Sequence, residues 1–262
     1  MAEVKPDATW IAEFKQMSLF FGGIRANHNV TFSLQPGLLY GLIGPNGAGK
    51  STLFNVLTGI YQPTSGSVSY QGRPLSQQTS YTLAQQGIGR TFQNIRLFRE
   101  LTVIQNVMTA FFHQSKTTFF DNLFATKNFV QEEKHFRQKA QELLDLMGIG
   151  DLSEVQADAL PYGKQRKLEI ARALALSPKL LLLDEPAAGL NPSETQELTQ
   201  LIRKIQTQFG LTVLLIEHDM RLVMQICEKI FVLDYGELIA QGSPAEIQDN
   251  PKVIEAYLGV EE

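Results

Sequence analysis

The chain has 262 residues, 44% of them apolar, a net charge of −4 and one cysteine. That length suits one large α/β unit, and the lone Cys227 excludes an internal disulfide and reads as a small buried apolar residue on a helix. The acidic balance gives no footing for a nucleic-acid partner, and no stretch reaches the roughly 18–20 apolar residues that cross a bilayer, so the chain is expected to be soluble in isolation.

In chain order, the first residues are polar and acidic, without the basic start and apolar run of a secretory leader. Residues 11–19 and 29–34 alternate with period two and read as strands, closed by a Pro36-Gly37 turn. Residues 37–43 read as a short buried strand. Then comes Gly44-Pro45-Asn46-Gly47-Ala48-Gly49-Lys50-Ser51-Thr52, which fits the phosphate-loop pattern G-x-x-x-x-G-K-[ST]. Its glycines let backbone N–H groups curl around an anion, Lys50 reaches β- and γ-phosphates, and the Ser51 hydroxyl suits Mg²⁺. Residues 52–58 read as the helix whose N-terminal dipole faces the same phosphates.

Residues 67–72 form another short strand, and residues 99–158 change character and read as helical. Within 131–147, Phe136, Ala140, Leu143, Leu144 and Met147 share one helical face, and Gly148 ends it. The aromatics Phe111, Phe112, Phe119, Phe120, Phe124 and Phe129 read either as local packing or as a docking face for a partner. Helix 167–176, strand 180–183, helix 193–209 and strand 212–216 then alternate, which implies a parallel sheet.

The strand 180–183 runs into Asp184-Glu185-Pro186, the pattern of a Walker B acid pair at the carboxyl edge of a sheet. Asp184 is placed to hold Mg²⁺ through water and Glu185 to polarise an attacking water. His218 ends the next strand and suits a donor to the γ-phosphate. Gln93, in Gly89-Arg90-Thr91-Phe92-Gln93-Asn94, can ligate Mg²⁺ through its amide. Phe21, before Gly22-Gly23, is either a core aromatic or a platform for a nucleobase; the residues alone leave both open.

These pieces in this order resemble an ABC-transporter ATPase, and residues 160–174, beginning Leu160-Pro161-Tyr162-Gly163-Lys164-Gln165-Arg166, are similar to its signature and the helix after it. The Leu-Pro-Tyr-Gly form, residues 89–98, residues 187–192 and the ending at residues 253–259 are similar to the LivG-type subunits of branched-chain, hydrophobic amino acid uptake. The resemblance implies an α/β fold: a P-loop NTPase (RecA-like) core with an N-terminal antiparallel β subdomain and an inserted α-helical signature subdomain. It implies one ABC ATPase domain over 1–262, with the core in 10–98 and 159–262, the helical insertion in 99–158 and the signature at 160–166.

The resemblance makes Phe21 the adenine-stacking aromatic, Gln93 the Q-loop glutamine, Asp184 and Glu185 the Walker B pair and His218 the switch histidine. Residues 44–52 would hold ATP with Mg²⁺, and Gly163 would reach a nucleotide in trans across a head-to-tail pair of cassettes. The implied partners are a LivF-type second ATPase or a second copy, two transmembrane permease subunits and, indirectly, a periplasmic solute-binding protein, with the ATPase peripheral on the cytoplasmic face of the plasma membrane. The implied cargo is a branched-chain or other neutral amino acid, with urea or another small amide as the alternative. Pro161 and Asn191 depart from the family pattern, where serine and aspartate are usual, and both suit weak self-association or a weakly hydrolysing cassette. A GTPase is disfavoured by the absence of N-K-x-D, a dinucleotide oxidoreductase by the missing third glycine at Phe92, and a DNA-repair cassette by the absence of a long coiled-coil insertion.

Overall fold

The computed structural model describes residues 10–76, 78–115, 117, 121 and 126–258, so Phe119, Phe120 and Phe124 lie outside the described residues. Among these, ten strands make two sheets. The first is antiparallel in the order β2-β1-β4-β5, built from β1 (Ala12–Phe21), β2 (Ile24–Leu34), β4 (Ser65–Tyr70) and β5 (Arg73–Pro74). The second has the order β10-β9-β3-β8-β7-β6. Its strands are β3 (Leu39–Ile43), β6 (Ile88–Arg90), β7 (Leu180–Asp184), β8 (Thr212–Ile216), β9 (Lys229–Asp234) and β10 (Glu237–Gly242). It is parallel except for the β9–β10 hairpin at one edge.

Apolar runs explain the parallel strands. Every residue of β3, β7 and β8 is buried, as a strand covered on both faces requires. Alternation sorts their side chains into two cores. Leu39, Leu181, Leu183, Val213 and Leu215 face one, with the helices. Tyr40, Leu180, Leu182, Leu214 and Ile216 face the other, with the antiparallel sheet and α1 (Lys50–Leu57). Full burial of each such leucine contributes roughly 1.5–3 kcal/mol, so shifting one of these strands by a single residue would exchange two cores at once.

The first core is packed by α3 (Val103–Thr109), α4 (Lys127–Leu146), α5 (Tyr162–Ala175), α6 (Pro192–Phe209) and α7 (Met220–Ile226), with Ile247 and Val253 added from the C-terminal helices. The short α2 (Ser80–Gln85) precedes β6, and α8 (Pro244–Gln248) and α9 (Pro251–Leu258) follow β10. Helix α4 begins four residues before the expected 131, because the Thr126 side chain caps it by accepting from the Phe129 N–H. Helix α5 begins at Tyr162, not 167: Pro161 stands at its N-cap, and its carbonyl accepts from Lys164 and Gln165 N–H. The helical face expected on α4 is the buried one, through Phe136, Ala140 and Leu144. Phe111 is buried and stacked on Phe136, whereas Phe112 is 66% exposed.

Candidate active site

Residues 44–52 join the C-terminus of β3 to the N-terminus of α1. Gly44 (φ 146°) and Gly49 (φ 93°) hold backbone conformations that side chains avoid. A Cβ on Gly44 would lie 2.0 Å from the Leu233 carbonyl oxygen, and one on Gly49 would lie 2.4 Å from that of Ala26. The loop is therefore pressed against two neighbouring backbones, and the Ala48 N–H closes it onto the Pro45 carbonyl (3.2 Å). Buried Lys50 donates from Nζ to the carbonyls of Gly44 (2.6 Å) and Pro45 (2.8 Å). Burial pushes its pKa down, while the charges of Glu185 and Asp184 pull it back up. Ser51, one residue on in α1, is exposed.

The expected acids, amide and imidazole converge beside it. Glu185 follows β7 with φ 47°, a left-handed conformation uncommon for a glutamate, held by its N–H on the Ile216 carbonyl (2.9 Å). Gln93 Nε2 donates to Glu185 Oε2 at 3.0 Å, and His218 Nε2 lies 3.1 Å from Glu185 Oε1. One carboxylate thus gathers side chains from the ends of β6, β7 and β8. Asp184 is buried at the tip of β7, and burial pushes its carboxyl up while Arg90 opposes that shift. A hydroxyl (Ser51), a carboxylate (Asp184) and an amide oxygen (Gln93) form the all-oxygen donor set that Mg²⁺ prefers alongside phosphates, so the residues fit that ion.

Comparisons with known proteins give the family of this fold. A family model described as "ABC transporter" matches residues 27–188, and one described as "Branched-chain amino acid ATP-binding cassette transporter" matches residues 237–262. The chain is 47% identical over 239 residues to the high-affinity branched-chain amino acid transport ATP-binding protein LivG of Salmonella typhimurium, covering 91% of this chain and 94% of that protein. The chain belongs to the ABC transporter family of ATP-binding cassettes. A crystal structure of the ADP conformation of an ABC-transporter cassette superposes with TM-score 0.82 at 30% identity, over 95% of this chain and 99% of that one. A dimeric, post-hydrolysis cassette bound to ADP and Pi gives 0.75 at 25% identity, over 89% and 98%. The fold is the P-loop NTPase core with its antiparallel sheet and helical insertion, and the cassette is an ATPase.

Several groups in the cassette escape motif reading. Glu217, buried beside His218, accepts the Ala187 N–H (2.7 Å) and the His218 N–H (3.1 Å), so it fixes the loop after β7 against the end of β8. Arg166, fully buried on α5, donates to the carbonyls of Phe92 (2.8 Å) and Gln93 (3.0 Å) and pairs with Glu169 (2.8 Å). Glu169 in turn accepts the Phe92 N–H, and Arg172 binds the Arg96 carbonyl. Burial pushes the Glu169 carboxyl up, and the adjacent Arg166 counters it. Helix α5 thereby grips the backbone of residues 92–96. Only the E-H-D run and the charged spacing 166/169/172 hinted at this.

Phe21 ends β1, 43% exposed, edge-on to Tyr61 with centroids 5.0 Å apart. It is therefore not a core aromatic. Gly163, in the first turn of α5, faces Leu190 and Glu194, and the Tyr162 ring lies against Gly189. Asn191 caps α6: its side chain accepts from the Glu194 N–H, and Glu194 accepts from the Asn191 N–H. That local role needs no charge, and asparagine and aspartate fill it equally.

Proposed function

We propose that this cassette is the ATP-hydrolysing subunit of an importer for branched-chain or other neutral amino acids. The solute class rests on its 47% identity to LivG, a branched-chain amino acid transport ATP-binding protein. The observation that supports hydrolysis is the convergence of Gln93 and His218 on Glu185 at the tip of β7. In this reading residues 44–52 hold the triphosphate of ATP, with Lys50 leaving the Gly44 and Pro45 carbonyls for phosphate oxygens. Phe21 offers its exposed face to adenine. Ser51, Gln93 and, through water, Asp184 would hold Mg²⁺, which when bound neutralises charge on the transferring phosphoryl group. Glu185 orients and polarises the attacking water, and His218 donates toward the γ-phosphate. Gly163 serves the nucleotide of a facing cassette.

No helix among the described residues is long and apolar enough to cross a membrane. Transport then needs two permease subunits, a solute-binding protein outside the cell and a peripheral position for the cassette on the cytoplasmic face. Pro161 lacks both hydroxyl and N–H at the α5 N-cap, which favours a different, LivF-type cassette as partner over a second copy.

The test uses the complex assembled with its membrane subunits and binding protein. Lys50→Ala is expected to abolish ATP binding by calorimetry. Glu185→Gln is expected to retain binding and lower turnover by about 10²–10⁴-fold, the usual worth of a positioned base. Leucine, and not urea, should stimulate the parent complex. Full turnover in Glu185→Gln removes the base, stimulation by urea alone reassigns the cargo, and a fully active homodimer removes the need for a second cassette.

A further inference from the structure

Arg90, at the end of β6, is nine-tenths buried and bonded to two elements at once. Its Nη2 meets Asp184 Oδ2 at 3.1 Å, while its Nη1 donates to Asn55 Oδ1 (2.8 Å) on α1 and to Thr58 Oγ1 (3.1 Å) at the helix's C-cap. The guanidinium lies 5.6 Å from the Phe54 ring centroid and 5.0 Å from that of Phe92, so its plane is clamped. Ser51 and Asn55 stand four residues apart on α1 and share one face of that helix. Thr91, the next residue, accepts the Asp184 N–H at 3.3 Å through its hydroxyl.

We propose that Arg90 is the positioning residue of the magnesium-side acid: it occupies one oxygen of Asp184, presents the other to the metal's shell, and yokes that acid to the helix bearing Ser51. The inference rests on reading Ser51, Gln93 and Asp184 as the magnesium side of the site. A buried ion pair adds little net stability, since desolvation offsets attraction; one that also fixes geometry between two elements has a stronger reason to be there. The planar fork is what allows two simultaneous directions, which a lysine ammonium does not reproduce. Arg90 thereby ties two of the metal-side elements, β7 with Asp184 and α1 with Ser51, and Gln93 follows three residues later on the same segment.

The experiment titrates a fluorescent ATP analogue against the full chain, first in EDTA and then with increasing free Mg²⁺. In Arg90→Met, affinity in EDTA is expected to stay within about twofold of the parent, while half-saturating Mg²⁺ rises about tenfold, as outer-shell losses at metal sites do. Arg90→Lys keeps the charge without the fork and is expected to fall between, at roughly threefold. If Arg90→Met does not fold, Arg90→Lys and Asn55→Ala carry the test, each with at least a threefold rise expected on the same grounds. Equal or tighter Mg²⁺ dependence in any folded variant overturns the proposal, as does an equal loss with and without Mg²⁺, which marks a structural role only. A parent chain with no Mg²⁺ dependence would instead overturn the reading of the metal side itself.

Discussion

Gln93 is held at both ends by clusters of opposite character. Its side chain meets Glu185, whose other oxygen faces a His218 that is 42% exposed. Its backbone carbonyl accepts from Arg166, which has no exposed surface and is paired with a nearly buried Glu169. Water competes for the first set of contacts, so they exchange readily when a phosphate or a nucleophilic water arrives. Nothing competes for the second, and an unpaired charge there is severely penalised. The cassette thus keeps the glutamine's amide responsive while making its main chain one body with α5. A displacement of α5 would carry the Gln93 main chain with it through that link.

Four perturbations break or sharpen the contrast, in order of size. Glu169→Leu strands Arg166 without a counter-charge and is expected to cost about 3–5 kcal/mol in urea denaturation; adding Arg166→Met should recover part of that loss. A cost below about 1 kcal/mol would mean that the clamp is not what holds the backbone. His218→Ala acts on the exposed side: turnover should fall about 10²-fold, near 2.7 kcal/mol, while unfolding moves by less than about 0.5 kcal/mol. Equal effects on both would erase the division. Asn191→Ala removes a helix cap and should cost about 1 kcal/mol, whereas Asn191→Asp keeps the cap and should sit within about 0.5 kcal/mol of the parent. Phe112→Ser, far from either cluster in chemistry, should leave stability within about 0.5 kcal/mol and lower co-purification with membrane subunits; unchanged recovery of the complex returns this exposed ring to ordinary surface.

The exposed cluster was largely legible in the amino-acid string, and the buried one was not. Asp184, Glu185 and His218 sit at or just past strand ends that follow apolar runs, and Lys50 opens α1 behind a glycine pattern that announces the place. Contiguity carries that information. The clamp joins residues 73 and 74 positions apart, and a charged face on a helix ordinarily means solvent. Glu217 reads like another solvated strand-end acid, yet it is buried and satisfied by two backbone amides. Arg90 lay inside a recognised segment, but its partners come from α1 and β7. The helix starts at Lys127 and Tyr162 precede the apolar periodicity because the first turn is set by its cap, Thr126 through its side chain and Pro161 through its carbonyl.

Strand β8 lies between β3, which delivers the phosphate loop, and β7, which delivers the acids. Neighbouring strands sit about 4.8 Å apart, so those two deliveries stand about 10 Å from each other. That gap is a ruler made of main chain. Swapping side chains along the chamber changes which reagent protrudes into it, but leaves its width untouched; only adding or removing a whole strand would alter it, and the imidazole carrier happens to be the strand that serves as the spacer.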